Sequence, residues 1–280
     1  MALSSYASPL ERSWYYLHRV LCGGVFIFLT APTLVIVPLS FNSEPFFTFP
    51  MPGLSLRWYE ELFLTDRWVG SLYNSIFVAV MVTVLSTVLG TLAALGLSRP
   101  KFPWRTAVIS LLISPMVVPV VITAVAIYFF YADARLLNTF VGLVLAHTTL
   151  ATPFVVITVT ATLVGFDHSL TRAAASLGAP PVTSFFKITL PLVLPGMISG
   201  ALFAFITSFD EVVVALFITS ANQRTLPKAM FSGINQEISP TITAAATVLT
   251  LFAIVMLTTV ELLRRRSERL RGTRKAAAVV

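Results

Sequence analysis

The sequence is short of charge and almost without cysteine. Only 11% of its 280 residues are Asp, Glu, Lys or Arg, about half of what a soluble domain carries. A chain so poor in charge cannot clothe a water-facing surface, which excludes an ordinary soluble enzyme and a disordered segment. The single Cys22 excludes an internal disulfide framework and a cysteine-rich metal centre, and no metal site is expected. Phosphate-binding glycines are missing too, since there is no Gly-x-x-x-x-Gly-Lys-Ser/Thr and not even a Gly-Lys pair. Neither His-Glu-x-x-His nor Gly-x-Ser-x-Gly occurs, so no catalytic residue is assigned and a membrane-embedded enzyme is disfavoured.

What is present is apolar: 56% hydrophobic residues, 22 Phe and a mean hydropathy of +0.87. About 20 mostly apolar residues carry a helix across a bilayer. Six stretches meet this: Val20–Ser40, Ser71–Leu97, Thr106–Tyr131, Leu137–Val164, Leu192–Thr219 and Ile242–Val260. The fifth is interrupted only by the adjacent pair Asp210 and Glu211. None alternates polar and apolar residues as a barrel strand would, and a helix satisfies its own backbone in lipid. The expected fold is therefore an all-α membrane protein with six transmembrane helices. The first run is longer than a secretory leader and lacks a small-x-small cleavage site, so it reads as a retained span.

Orientation follows from the basic residues. With both termini in the cytoplasm, the inner segments hold 14 Lys and Arg and the outer segments five (Arg57, Arg67, Arg135, Arg224, Lys228), as the positive-inside rule requires. Residues 1–19 are then a cytoplasmic segment and 20–40 the first span. Residues 41–70 form an extracytoplasmic loop, 71–262 the main membrane domain, and 263–280 a basic cytoplasmic tail. The tail, with Arg264, Arg265, Arg266, Arg274 and Lys275, directly follows a span, so its expected partner is anionic membrane lipid and not nucleic acid. In the first outer loop, Leu56, Tyr59, Leu62 and Phe63 have helical spacing, which predicts a short helix lying on the membrane. No internal repeat is visible, which weakens the case for a stand-alone ion-coupled secondary transporter, the main alternative.

The inner loop of residues 165–190 is the most informative. Ser169 or Thr171 can cap a helix that ends at Gly178, and Pro180 and Pro181 forbid its continuation. A second short helix over Val182–Ile188 is expected to lead through Leu190 and Pro191 into the fifth span. Small residues on a loop projecting inward suggest a docking surface.

This loop resembles that of the permease subunits of type I ABC importers, where Glu-Ala-Ala, three residues, Gly, nine residues and Ile-x-Leu-Pro follow in order. Here Ala173 and Ala174 precede Gly178, and Ile188, Leu190 and Pro191 come after the same nine-residue interval. Arg172 replaces the usual Glu, which reverses a charge at the docking surface. Ser208-Phe209-Asp210-Glu211-Val212-Val213-Val214-Ala215, Thr225-Leu226-Pro227 and Glu237-Ile238-Ser239-Pro240 are similar to the spermidine/putrescine importer branch, in particular its second permease subunit. The resemblance implies a bacterial inner-membrane protein forming half of a translocation pathway for a polyamine or related organic cation. It implies as partners a homologous permease, a dimer of ATPase subunits and an extracytoplasmic solute-binding protein. No cofactor is expected on this chain; ATP and Mg would be used by the partner ATPase.

Asp210 and Glu211 are the only acidic residues within an expected span, and a carboxylate facing lipid costs about 2.5–3.5 kcal/mol. Consecutive helical residues point about 100° apart, so one of the two faces the cavity. There it attracts a cationic substrate, or else contacts the partner permease or the binding protein. Pro115 and Pro119 can open backbone carbonyls to a cavity. Tyr128 with Phe129, Phe130 and Tyr131 reads as an interfacial belt, with stacking on a cation as the alternative. Gly196 and Gly200 have the spacing of a close helix contact, and His147 reads as a hydrogen-bonded interior residue.

Overall fold

The computed structural model describes residues 8–48, 50–98, 104–167, 169–236 and 239–277, without the side chains of 235, 236, 260 and 263–277. Arg99, Lys101, Glu237, Ile238 and the side chains of the basic tail, all used in the sequence reading, lie outside the described residues. Within them the regular elements are helices, with one isolated bridge between Asn42 and Leu54.

Helix α1 (Pro9–Leu39) starts well before the apolar run. Ser8 and Glu11 form a reciprocal capping box, and Pro at the first position needs no N–H partner. Arg12 and Arg19 therefore sit on the helix and not in a preceding segment. No residue of α1 is buried; it touches α12, and most of its apolar surface is left to lipid or another chain. Helix α2 (Arg57–Leu64) is the expected short outer helix, but it does not simply lie on the membrane. Trp58 and Leu62 are buried with Trp68, Leu226 and Ile242, and the Trp58 Nε1–H donates to the Asn42 carbonyl.

Helices α3 (Asp66–Leu97) and α6 (Phe140–Val164) match the second and fourth expected spans, and α12 (Pro240–Ala277) the sixth, continuing as helix into the tail. The third span departs from expectation. It is two helices, α4 (Arg105–Val117) and α5 (Val120–Ala134), bent by 104° at the break. Pro119 has no N–H to donate and disfavours helical geometry at Val118, whose ψ of 132° is extended. Among the described residues five helices are individually long and apolar enough to cross, or six if the bent pair is one broken span.

α6 is the hub. It packs against α3, α4 and α9 (Leu190–Phe209), with Leu143, Val155, Val159 and Val193 in the shared core. Three glycines bring the neighbours close. A Cβ on Gly200 would stand 2.9 Å from Val155 Cα and 2.6 Å from Thr158 Oγ1, and one on Gly90 of α3 would stand 2.6 Å from Val155 Cβ. Gly196 meets Thr162 and the Thr158 carbonyl in the same way. The Gly196/Gly200 spacing is thus a packing seam, in which close approach replaces the hydrophobic drive that lipid removes.

Gly200→Ala should therefore lower stability by about 1–3 kcal/mol through overpacking against a backbone atom. Gly24→Ala, with nothing within 4 Å, should be neutral. Thermal unfolding of the detergent-purified protein distinguishes them, and equal melting temperatures would contradict the seam.

Candidate functional site

The inner loop folds into helix α7 (Ser169–Ser176), whose start is met by the Asp167 carboxylate accepting the Ser169 N–H at 2.8 Å. This acceptor lies upstream of the Ser169 and Thr171 suggested by sequence. At the other end the Gly178 N–H donates to the Ala175 carbonyl and the Ala179 N–H to the Ala174 carbonyl, both at 3.0 Å. Gly178 has φ +82°, so this is the paired C-terminal motif that needs a left-handed residue. Arg172, Ala173 and Gly178 are exposed, whereas Ala174 is buried and anchors the loop. Ile188 and Leu190 are half-buried and Pro191 is exposed.

Beyond Pro180 the chain does not form the separate second helix expected over Val182–Ile188. It runs as one helix from Pro181 to Phe209, passing through α8 (Pro181–Ser184), a π turn at Phe185–Thr189, and α9. The π turn explains why Pro191 causes no break. Its i→i+5 bonding, seen in Leu190 N–H to Phe185 O, opens the coil by one residue just ahead of the ring that would otherwise clash with a carbonyl one turn back. One helix thereby runs from just after the loop to the far end of the fifth span.

That far end differs from expectation as well. Helix α9 stops at Phe209, so Asp210 and Glu211 stand in a break and not within a continuous helix, and α10 (Val213–Ile218) resumes after it. The two carboxylates are separated in role by this break. Asp210 is exposed. The Glu211 side chain is only 8% exposed and folds back on α10, its two oxygens accepting the N–H groups of Val214 at 2.8 Å and Ala215 at 3.0 Å. A carboxylate on the first free amides of a helix both satisfies them and complements the helix dipole.

His147 of α6 completes the arrangement. It is fully buried, with Nδ1 3.0 Å from Ser208 Oγ and Nε2 3.4 Å from Glu211 Oε2. The second contact is longer than a good hydrogen bond and acts as an electrostatic one. A carboxylate only accepts, so Nε2 can meet Glu211 only as an N–H donor. The interior, hydrogen-bonded histidine of the sequence reading is what the structure contains.

The other end of α10 is held by Lys228 on α11 (Leu226–Gln236). Its Nζ donates to the Thr219 carbonyl at 2.6 Å, Thr219 Oγ1 at 2.8 Å and the Ala215 carbonyl at 3.2 Å. Burial, with the charge of Arg224 nearby, holds this lysine below the usual lysine pKa. No sequence signal pointed to Lys228, because the contact crosses a turn whose geometry a pattern of residue types does not reveal.

The remaining candidates stand elsewhere. Pro115 is inside α4 and Pro119 at the start of α5, so both mark the bend. Tyr128 is partly exposed on α5, edge-on to Phe129 at 5.6 Å. Phe129 and Phe130 are exposed, but Tyr131 is buried, so only part of the aromatic run can form a belt. α5 packs against α10, which places Tyr128 on the helix beside the break without joining it to the acid pair.

Residues 86–270 match the family described as the inner membrane component of binding-protein-dependent transport systems. The chain belongs to this family. It is 32% identical over 255 residues to the spermidine/putrescine transport system permease protein PotC of Haemophilus influenzae, covering 91% of this chain and 99% of that one. It is 34% identical over 252 residues to the putrescine transport system permease protein PotI of Escherichia coli, covering 86% and 87%. The trehalose transport system permease protein SugB of Mycobacterium tuberculosis is 30% identical over 202 residues, covering 70% and 74%. A bacterial ABC transporter involved in the import of the acidic polysaccharide alginate superposes with a TM-score of 0.72 at 17% identity, covering 92% of this chain and 99% of that chain. That likeness shows the fold alone, the all-helical type I permease fold.

Replacing His147 by Leu leaves Glu211 and Ser208 without their buried partner, at about 1–3 kcal/mol. Thr149→Leu, two residues on in the same helix and exposed, should cost little. Unfolding midpoints of the two purified variants test this, and a neutral His147→Leu would show that the ring is not a structural link.

Proposed function

We propose that this chain is the permease subunit of an ATP-driven importer of a polyamine or similar organic cation. It would pair with a homologous permease across the membrane, both termini in the cytoplasm. Two ATPase subunits would bind below it, using ATP and Mg, and an extracytoplasmic solute-binding protein would deliver the cation above. Full-length similarity to permeases of polyamine transport systems is the observation that carries this reading.

The geometry supports a division of labour. The knob of Arg172, Ala173 and Gly178 projects from the bundle as an exposed, internally bonded unit, which suits a rigid ball in an ATPase socket. From it the unbroken rod Pro181–Phe209 reaches the break, so a tilt imposed at the socket is delivered to Asp210. Rigid-body motion of a packed element is an established way to switch a cavity. Asp210, exposed next to the break, is the group that would attract a cation.

The experiment is uptake of labelled putrescine and spermidine into proteoliposomes holding the assembled importer. Uptake should require ATP and the binding protein, and Asp210→Asn should lower it about tenfold, the worth of one charge-assisted contact. Uptake driven by an ion gradient without the ATPase would overturn the importer reading, and unchanged kinetics in Asp210→Asn would overturn the carboxylate's role. Gly178→Val forces a branched residue into the left-handed region at a cost of about 1–3 kcal/mol. It should reduce co-purification of the ATPase, and undiminished recovery would remove the knob from the interface.

A further inference from the structure

α10 is six residues long, far too short to persist on its own propensity. It is nonetheless bonded at both ends by charged side chains, an anion at its start and a cation at its finish. Glu211 takes the Val214 and Ala215 amides at its start. At its finish Lys228 takes the Ala215 and Thr219 carbonyls, and the Asn138 N–H donates to the Ile218 carbonyl at 2.9 Å. Both charges complement the helix dipole. Each end is tied to a different part of the bundle, Glu211 to His147 of α6 and Lys228 to α11. The segment leading into α11 is itself fixed on α3, where the Leu226 N–H donates to Ser75 Oγ at 2.8 Å and Asn74 Nδ2 donates to the Asn222 and Arg224 carbonyls at 3.0 Å.

From this we propose that Glu211 and Lys228 are positioning residues that clamp α10 between α6 and α11 and so fix the place of Asp210, the one carboxylate of the pair that meets the transported cation. Glu211 is committed to its own helix: both oxygens are engaged and the side chain is almost wholly buried. Asp210 closes α9, its N–H on the Ile206 carbonyl, and is joined directly to Glu211, so its place is fixed from one side by α9 and from the other by how Glu211 and α10 are held. Lys228 acts on the cation only through this scaffold, because its charge would repel a cation that it met directly. The inference rests on the cation-importer reading above and assigns roles within that site.

The test uses the complete importer with its binding protein, and labelled putrescine as the probe. Lys228→Met should lower putrescine moved per ATP hydrolysed about tenfold, the effect of losing hydrogen bonds from a charged donor, and Lys228→Arg should restore most of it. In an Asp210→Asn background, Lys228→Met should add little, because both changes act on one carboxylate and their effects do not sum. Hydrogen exchange at residues 213–218 should quicken in Lys228→Met and not in Lys228→Arg, a readout independent of any substrate. Multiplying losses in the double variant, or unchanged exchange and coupling in Lys228→Met beside an impaired Asp210→Asn, would overturn this inference alone. An unimpaired Asp210→Asn would overturn the reading beneath it as well.

Discussion

A break in a membrane helix exposes backbone amides and carbonyls that no water is present to satisfy, and the protein must supply every partner itself. That constraint governs the most unusual part of this chain. The fifth span stops at Phe209 and resumes at Val213. The freed amides are met by Glu211 and the freed carbonyls by Lys228 and the Asn138 amide. Charged groups are costly in such surroundings unless engaged in this manner, so Glu211 and Lys228 are tolerated because each meets several backbone groups. A break held this firmly lets one neighbouring carboxylate, Asp210, stay exposed at a defined place.

The second requirement is that motion reach the break without being absorbed on the way. The seam of Gly90, Gly196 and Gly200 against Val155 and Thr158 gives α6 and its neighbours little freedom to separate. Close-packed interiors move between discrete arrangements rather than deform smoothly. The π turn at Phe185–Thr189 serves the same end by a different means, since it accommodates Pro191 within one rod instead of hinging there. Pro181–Phe209 is consequently one continuous helical piece that starts just after the inner knob and ends at the break.

Most of the architecture was legible in the sequence because long apolar runs are a strong signal and lipid leaves few alternatives. The helical character of the spans, the α7 knob ending at Gly178, and the interior place of His147 follow from residue type and spacing. The misplaced details have a common origin. The bend at Pro119, the passage through Pro191 and the end of α9 at Phe209 each depend on where freed backbone groups find partners, and that is decided by residues distant in sequence. Two prolines of similar context behave oppositely: Pro119 ends a helix, while Pro191 is carried through by a wider turn. The outer helix α2 follows from its periodicity, but that spacing shows an apolar face and cannot say how much of it Trp68 and Ile242 cover.

The acid pair shows why adjacency in sequence is a poor guide to shared function. Asp210 and Glu211 have the same charge and stand next to each other, and on a regular helix they would differ only in direction. The break changes the comparison. Glu211 falls where the first amides of α10 need an acceptor and where His147 and Ser208 already fill the interior, so it is drawn inward and used up. Asp210, one residue earlier, has its N–H bonded to the Ile206 carbonyl as the last link of α9 and its carboxylate left outside. Two like charges side by side would repel if both stayed exposed. Committing Glu211 to the backbone turns its charge inward onto the α10 amides and leaves the Asp210 carboxylate exposed, so the same local event that ends the helix also presents one negative group at the break.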